Sequence, residues 1–138
     1  MIIMVMDGQG GGIGASIIKA LRVVLSDDSE ILALGTNSIA TSRMMKAGAN
    51  KGATGENPII HTSAKVDVII GPLAIIMPNA MMGEVTCKMA EAVSTSNAKK
   101  ILIPLTQEKV KLVGVTSEPL PHLVDQVAQL LRETYSHV

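Results

Sequence analysis

MVMDGQGGGIGAS, Met4 to Ser16, decides the fold, because it joins an apolar run to a glycine cluster and then to an amphipathic helix. The run Ile2 to Met6 reads as a strand that delivers Asp7 and the glycines Gly8, Gly10, Gly11, Gly12 and Gly14. Ile13, Ile17, Ile18, Leu21, Val24 and Leu25 then recur at helical spacing. Such a strand, turn and helix expose backbone N–H groups at a helix N-terminus, where partial positive charge and missing side chains suit a phosphate. Asp7, Gly8, Gln9, Gly10, Gly11, Gly12, Ile13 and Gly14 are therefore candidate cofactor contacts. The competing reading is a loop whose glycines serve only close packing of helix on strand. The Lys and Ser/Thr of a P-loop are missing from it.

Size and composition narrow the class. A chain of 138 residues fits one domain, with no room for a second catalytic one. Lys plus Arg and Asp plus Glu number 12 each, so net charge steers the chain toward neither nucleic acid nor an anionic membrane. Phe and Trp are absent and Tyr135 is the only tyrosine, which removes the stacking platforms of single-strand binders. Cys87 stands alone, excluding an internal disulfide or a thiolate cluster. The first apolar run is too short for a signal h-region or a membrane span, and a cytoplasmic location is expected. The methionines at 44, 45, 77, 81, 82 and 89 either fill an aromatic-poor core or line a contact in a homodimer or larger oligomer, with 77–89 the candidate region.

Working outward from the glycine loop, Ile31 to Leu34 reads as a second strand ending at Gly35, and Thr36-Asn37-Ser38 caps a helix through Ala47 that Gly48 stops. Residues 49–56 read as a short extended piece and a loop. Asn57 and Pro58 open a helix to about Lys65, and Val66 to Ile70 is a third clear strand. Leu73 to Gly83 is strand or short helix, which periodicity over so few residues does not decide. Thr86 caps a helix to Ser96, Ile101 to Leu105 is the fourth strand, and Pro121 to Tyr135 is the last helix. Between the last two, Thr106 to Lys109 is too short for a parallel crossover, so Val110 to Val115 is expected as an antiparallel edge strand. The expected fold is a three-layer, Rossmann-like α/β open sheet, mostly parallel, over residues 1–138.

Asp7 stands at the carboxyl end of the first strand, the edge from which open α/β sheets bind ligands. Beside a phosphate it repels unless magnesium bridges the two or it reaches a ribose hydroxyl; its alternative role is loop capping. Thr36, Asn37 and Ser38 stand where a Rossmann chain often carries an acidic residue for the ribose 2′-OH, and they suit an NADP-like 2′-phosphate or simply cap the helix. Glu56, Asn57, Asn79 and Glu84 are further candidates for a pocket wall. His61, His122 and His137 form no metal triad, and no metal site is expected. Cys87, in the first turn of a helix without an evident base, reads as a packed thiol.

Gly8-Gln9-Gly10-Gly11-Gly12-Ile13-Gly14 resembles the G-x-x-x-G-x-G of short-chain dehydrogenases, but the Y-x-x-x-K pair is absent, since Tyr135 has no Lys after it. Gly10 to Ala15 equally fits G-x-G-x-x-A. More broadly, DGQGGGIG, ILALGTN, KAGANKGATGEN, VDVIIGP, the Gly83 to Ala92 segment, NAKKILIPL and VGV followed by PLPHLVD resemble a short uncharacterised bacterial family, a domain of unknown function of Rossmann-like appearance. That resemblance implies a cytoplasmic bacterial protein and carries over no catalytic residue. It also implies a proline commonly in the place of Cys87, which counts against a catalytic thiol there. The functional expectation is a phosphorylated small molecule, NAD(P) or another nucleotide, bound by Gly8 to Ala15 with Asp7, Thr36, Asn37 and the Gly52 to Asn57 loop as neighbours. Two classes follow from it: a noncatalytic sensor, or a small oxidoreductase or other nucleotide-using enzyme whose site is completed by a partner subunit.

Overall fold

The computed structural model describes residues 1–106 and 108–135. Five strands, β1 (Ile2–Asp7), β2 (Glu30–Gly35), β3 (Lys51–Thr54), β4 (Val68–Pro72) and β5 (Lys99–Ile103), form one sheet in the order β3-β2-β1-β4-β5. Every pairing among them is parallel, with Ile3 opposite Ile31 on one side and Val68 on the other. The helices among the described residues are α1 (Gly12–Val24), α2 (Ser38–Lys46), α3 (Glu56–Ser63), α4 (Cys87–Thr95) and α5 (Leu120–Thr134), with a 3-10 turn over Leu73–Ile76.

A continuous apolar strand can feed two cores because successive side chains point to opposite faces. Ile3 and Val5 pack with Ile17, Ile18 and Leu21 of α1, Met44 of α2, and Leu123, Val124 and Val127 of α5. Met4 and Met6 pack on the other face with Ile59 of α3, Ile75, and Met89 and Val93 of α4. This is the expected three-layer Rossmann-like architecture. The chain runs from β1 outward to β3, then crosses to β4 on the far side of β1. The carboxyl ends of β1 and β4 thus flank the point where strand order reverses, the crevice in which such sheets hold ligands.

Local signals placed several boundaries well. Asn37 caps α2, its Oδ1 accepting from the Ala40 N–H at 2.9 Å, and Thr86 caps α4, its Oγ1 accepting from the Met89 N–H at 3.1 Å. The extended piece within 49–56 is β3, and α3 starts at Glu56 behind Gly55 rather than behind Asn57. The ambiguous stretch resolves into the 3-10 turn followed by tight turns, not a strand.

The antiparallel edge strand is corrected. Pairing of β5 ends at Ile103, where Pro104 removes the next ladder donor, and the described residues between β5 and α5 contain no strand. Val110, Leu112, Val113 and Val115 are exposed, Val113 completely. Their alternation has nothing to cover, because α5 already occupies the sheet face beside β5.

Candidate functional site

Outside the β1/β4 switch lies a cleft of about 650 Å³. One wall is the β1–α1 loop, Asp7 to Ile13; Pro72 and Ala74 follow β4, Asn79, Met81 and Met82 come from the turns beyond, and Leu105, Thr106 and Glu108 close the β5 side. Glu108 is tied to the opposite wall, its Oε1 accepting from the Met81 N–H at 3.0 Å. The volume and mixed lining are those of a small-molecule pocket.

The loop glycines fall into two groups. A Cβ on Gly14 would lie 2.5 Å from Met44 Sδ and 2.9 Å from Asp7 Cβ, so its absence lets α1 lie against β1 and α2. Gly11 has φ +73° and a Cβ there would meet Ala40 Cα at 2.8 Å and Ala40 O at 2.9 Å, so it is fixed both by the left-handed turn and by the backbone of α2. Gly10 and Gly12 differ. The nearest atom to an added Cβ is Arg43 Nη1, at 3.8 Å and 3.4 Å respectively, the end of an exposed flexible side chain. Packing accounts for Gly11 and Gly14; Gly10 and Gly12, which also line the cleft, have no such packing reason.

Two carboxylates hold this loop. Asp7 is buried, and its Oδ1 accepts from the Gly8 N–H at 2.8 Å while its Oδ2 accepts from the Gly14 N–H at 2.7 Å. Burial raises its pKa above the ordinary carboxylate value, outweighing the lowering by the amides of Gly14, Gly8 and Ile13, and the nearby Glu84 charge adds to the rise. Glu84 Oε1 accepts from the Gln9 N–H at 2.8 Å, Thr36 Oγ1 at 2.6 Å and Asn37 Nδ2 at 2.8 Å. For Glu84, burial pushes the pKa up, but those bonds from Thr36, Gln9 and Asn37 prevail and hold it below its ordinary value.

Asp7 therefore has the geometry of the loop-capping alternative, with both oxygens engaged by the loop's amides. Thr36 and Asn37 come beside the loop, but their donors point to Glu84, and Asn37 Nδ2 also donates to the Gln9 carbonyl at 3.0 Å. Arg43, on the exposed face of α2, escaped the sequence reading; its Nη1 donates to the Gly10 carbonyl at 3.3 Å and brings a cation to Gly10 and Gly12. Asn79 lines the cleft, whereas Glu56 accepts from Thr86 Oγ1 at 2.8 Å and neither it nor Asn57 contributes to the cleft wall. His61, His122 and Cys87 are exposed outside the cleft, and His137 lies outside the described residues. Among the described residues no cluster of three or more His, Cys, Asp or Glu side chains is placed to hold a metal.

Backbone strain gathers at the same place. Gln9, Asn79, Met81 and Met82 have φ of 49°, 67°, 57° and 57°, and all four line the cleft. Left-handed conformations cost side-chain-bearing residues free energy and persist where surrounding structure enforces them, often at functional sites. A bulky methionine gives no sign of this in sequence.

The chain belongs to a family described as Domain of unknown function (DUF3842), whose model matches residues 2–136. A comparison with curated proteins finds no match. Among solved structures, it is similar to a dodecameric FMN-dependent UbiX-like decarboxylase from Escherichia coli O157:H7, at 15% identity and a TM-score of 0.52, over 98% of this chain and 93% of that one. At that identity the likeness concerns the fold alone, a Rossmann-like three-layer α/β architecture. Among the described residues no helix is long and apolar enough to cross a membrane.

Proposed function

We propose that the protein binds a phosphorylated cofactor of nucleotide or flavin type in the β1/β4/β5 cleft, as part of a homo-oligomeric enzyme. The observation that carries this reading is the pair Gly10 and Gly12, which line the cleft, have no backbone or core atom against an added Cβ, and are reached by the Arg43 guanidinium. The phosphate lies against their backbone with Arg43 as counter-charge, and the ring system lies toward Met81 and Leu105. The full set Asp7 to Gly14 contributes unequally: Gly8, Gly11 and Gly14 shape the loop, Asp7 ties it, and Gln9, Ile13, Thr36 and Asn37 flank it.

The FMN dependence and dodecameric assembly named for the structurally similar decarboxylase support a flavin-type ligand and an oligomer over a nicotinamide cofactor or a lone sensor. Nothing in the cleft selects NAD(P) or magnesium. Met44 and Met89 are core residues and Met82 is almost fully exposed, so the contact expected in 77–89 narrows to Met82 and the turns around it.

Calorimetry and thermal-shift measurements with FMN, NAD, NADP, ATP, GTP and sugar phosphates test the reading. A bound ligand raises the melting temperature by mass action. Gly12→Leu, whose added Cβ has the movable Arg43 guanidinium as its nearest neighbour, is expected to keep the ligand-free melting temperature and lose the ligand-induced rise. Absence of binding across the panel by calorimetry overturns the proposal and leaves the glycines architectural.

A further inference from the structure

A Rossmann-type sheet that holds a dinucleotide places one ribose over the end of its second strand, where a carboxylate accepts a ribose hydroxyl. Thr36 and Asn37, which follow β2 here, are not acids, yet the fold delivers one to them from elsewhere. Glu84 comes from the turns before α4, and its Oε1 accepts from the Gln9 N–H at 2.8 Å, Thr36 Oγ1 at 2.6 Å and Asn37 Nδ2 at 2.8 Å. Gly8 makes room for it: a Cβ there would lie 2.6 Å from Met81 Sδ and 3.0 Å from Glu84 Oε1. Gly8 and Gln9 also line the cleft, so the carboxylate stands beside the cleft's β1 wall. All three bonds end on one oxygen. Among the described residues Oε2 receives no donor, and it is open to solvent. A glutamine carbonyl could accept the same three bonds, so tying the loops together needs neither the second oxygen nor the charge. Partial burial works against ionisation, but the three bonds prevail and the group is charged at neutral pH. Oε2 is therefore an acceptor of fixed position and unspent capacity, its side chain already ordered before a ligand arrives.

We infer that Glu84 supplies the ribose acceptor that the residues after β2 lack: its Oε2 accepts the 2′-hydroxyl in the ribonucleoside half of a dinucleotide. The phosphates lie on Gly10 and Gly12, and the other half of the ligand enters the cleft. This rests on the cofactor reading above and names its ligand class, a dinucleotide with a free 2′-hydroxyl. A 2′-phosphate is refused because its charge meets the carboxylate, and a 2′-deoxyribose offers Oε2 no donor. The NADP-like preference expected from Thr36, Asn37 and Ser38 is thereby reversed, since the Thr36 and Asn37 donors are spent on Glu84.

Calorimetry on the wild-type chain tests it with two pairs: ADP against 2′-deoxy-ADP, which carry the same charge, and NAD against NADP. FMN, which has no ribose, is the control. ADP is expected to bind about ten-fold tighter than 2′-deoxy-ADP, the scale of one hydrogen bond to a charged group, and NAD about ten-fold tighter than NADP. Glu84→Gln keeps a carbonyl for the three loop donors and turns an amide outward. It is expected to shrink both ratios while FMN still binds. Equal binding of ADP and 2′-deoxy-ADP, or NADP binding as tightly as NAD, overturns the inference, and neither result needs a variant to fold. Binding of FMN without binding of ADP or NAD overturns it as well. Each of these outcomes leaves the cofactor reading intact. Unchanged ratios in a folded Glu84→Gln protein overturn the assignment to Glu84. Failure of the wild-type chain to bind any of the compounds, FMN included, removes the cofactor reading and this inference with it.

Discussion

The two flanks of the sheet's carboxyl edge are built in opposite ways. On the β2 side, Asp7, Gln9, Thr36, Asn37 and Glu84 share a dense set of hydrogen bonds between 2.6 and 3.0 Å that joins three separate loops. On the β5 side the described residues from 109 to 119 are more sparsely tied: the Val110 N–H donates to the Glu108 carbonyl at 2.7 Å, and Glu118 Oε2 accepts from Gln126 Nε2 at 2.8 Å. The Pro119 carbonyl accepts from the N–H groups of His122 and Leu123 at the start of α5, and apolar side chains face outward. One flank fixes a shape before any ligand arrives; the other has little that holds it to a single arrangement. A rigid flank can reject ligands, whereas a loosely tied flank can adapt to what it contacts.

The largest expected effect breaks the rigid flank. Gly11→Val imposes a β-branched side chain at φ +73° against the backbone of Ala40, and strain and overpacking together should cost about 3 kcal/mol, lowering the melting temperature by roughly 10 °C. Calorimetric unfolding measures it, and a change under about 1 kcal/mol would show that the turn yields more easily than its contacts indicate. Beside Gly12→Leu, this variant separates the architectural glycines from the open ones.

A subtler test reads the two carboxylates. Asp7, raised in the folded chain, should titrate above 3.8, and Glu84, lowered, below 4.5, as followed by carboxyl carbon chemical shifts. The stability consequences have opposite signs. In the window from 3.8 up to its raised value, the folded chain holds the Asp7 proton more tightly, so that contribution declines as pH rises. The contribution of Glu84 is complete above 4.5 and is lost as pH falls through its lowered value. Displacement of both groups in the same direction would contradict the contrast between a buried carboxylate and a multiply bonded one.

The smallest effect sharpens the comparison from the other side. Val113→Thr, at a fully exposed position, should change chemical-denaturation stability by no more than about 0.5 kcal/mol. A larger loss would mean that the β5 flank is tied down by contacts beyond those described.

What sequence reveals follows the same division. The glycine loop, β1 and the caps at Asn37 and Thr86 depend on neighbours a few residues away, so local pattern is sufficient. Glu84 is 75 positions from the Gln9 amide it accepts from, and no local signal distinguishes its clamp from an ordinary surface glutamate. Arg43 looks like any solvated helix residue until folding brings it to Gly10. The alternation at 109–115 misleads for a related reason. Strand propensity describes what a segment can pair with, and here α5 has taken the adjoining face while Pro104 has interrupted the ladder. β3 is short and largely exposed, so it lacks the apolar run that marks its neighbours.

The sheet's parallel pairing also bears on how the chain reaches its native state. Each of its neighbouring strand pairs is joined through a crossover, so no tight hairpin offers a local starting point. β1 is completed on one side by β2 but on the other only when Val68 to Ile70 arrive from the middle of the chain. Loop-closure entropy must be met before those contacts return anything, which places this domain among slower folders for its size. Until β4 docks, an almost wholly apolar central strand keeps one edge open, and during synthesis that interval is set by the time the ribosome takes to deliver it.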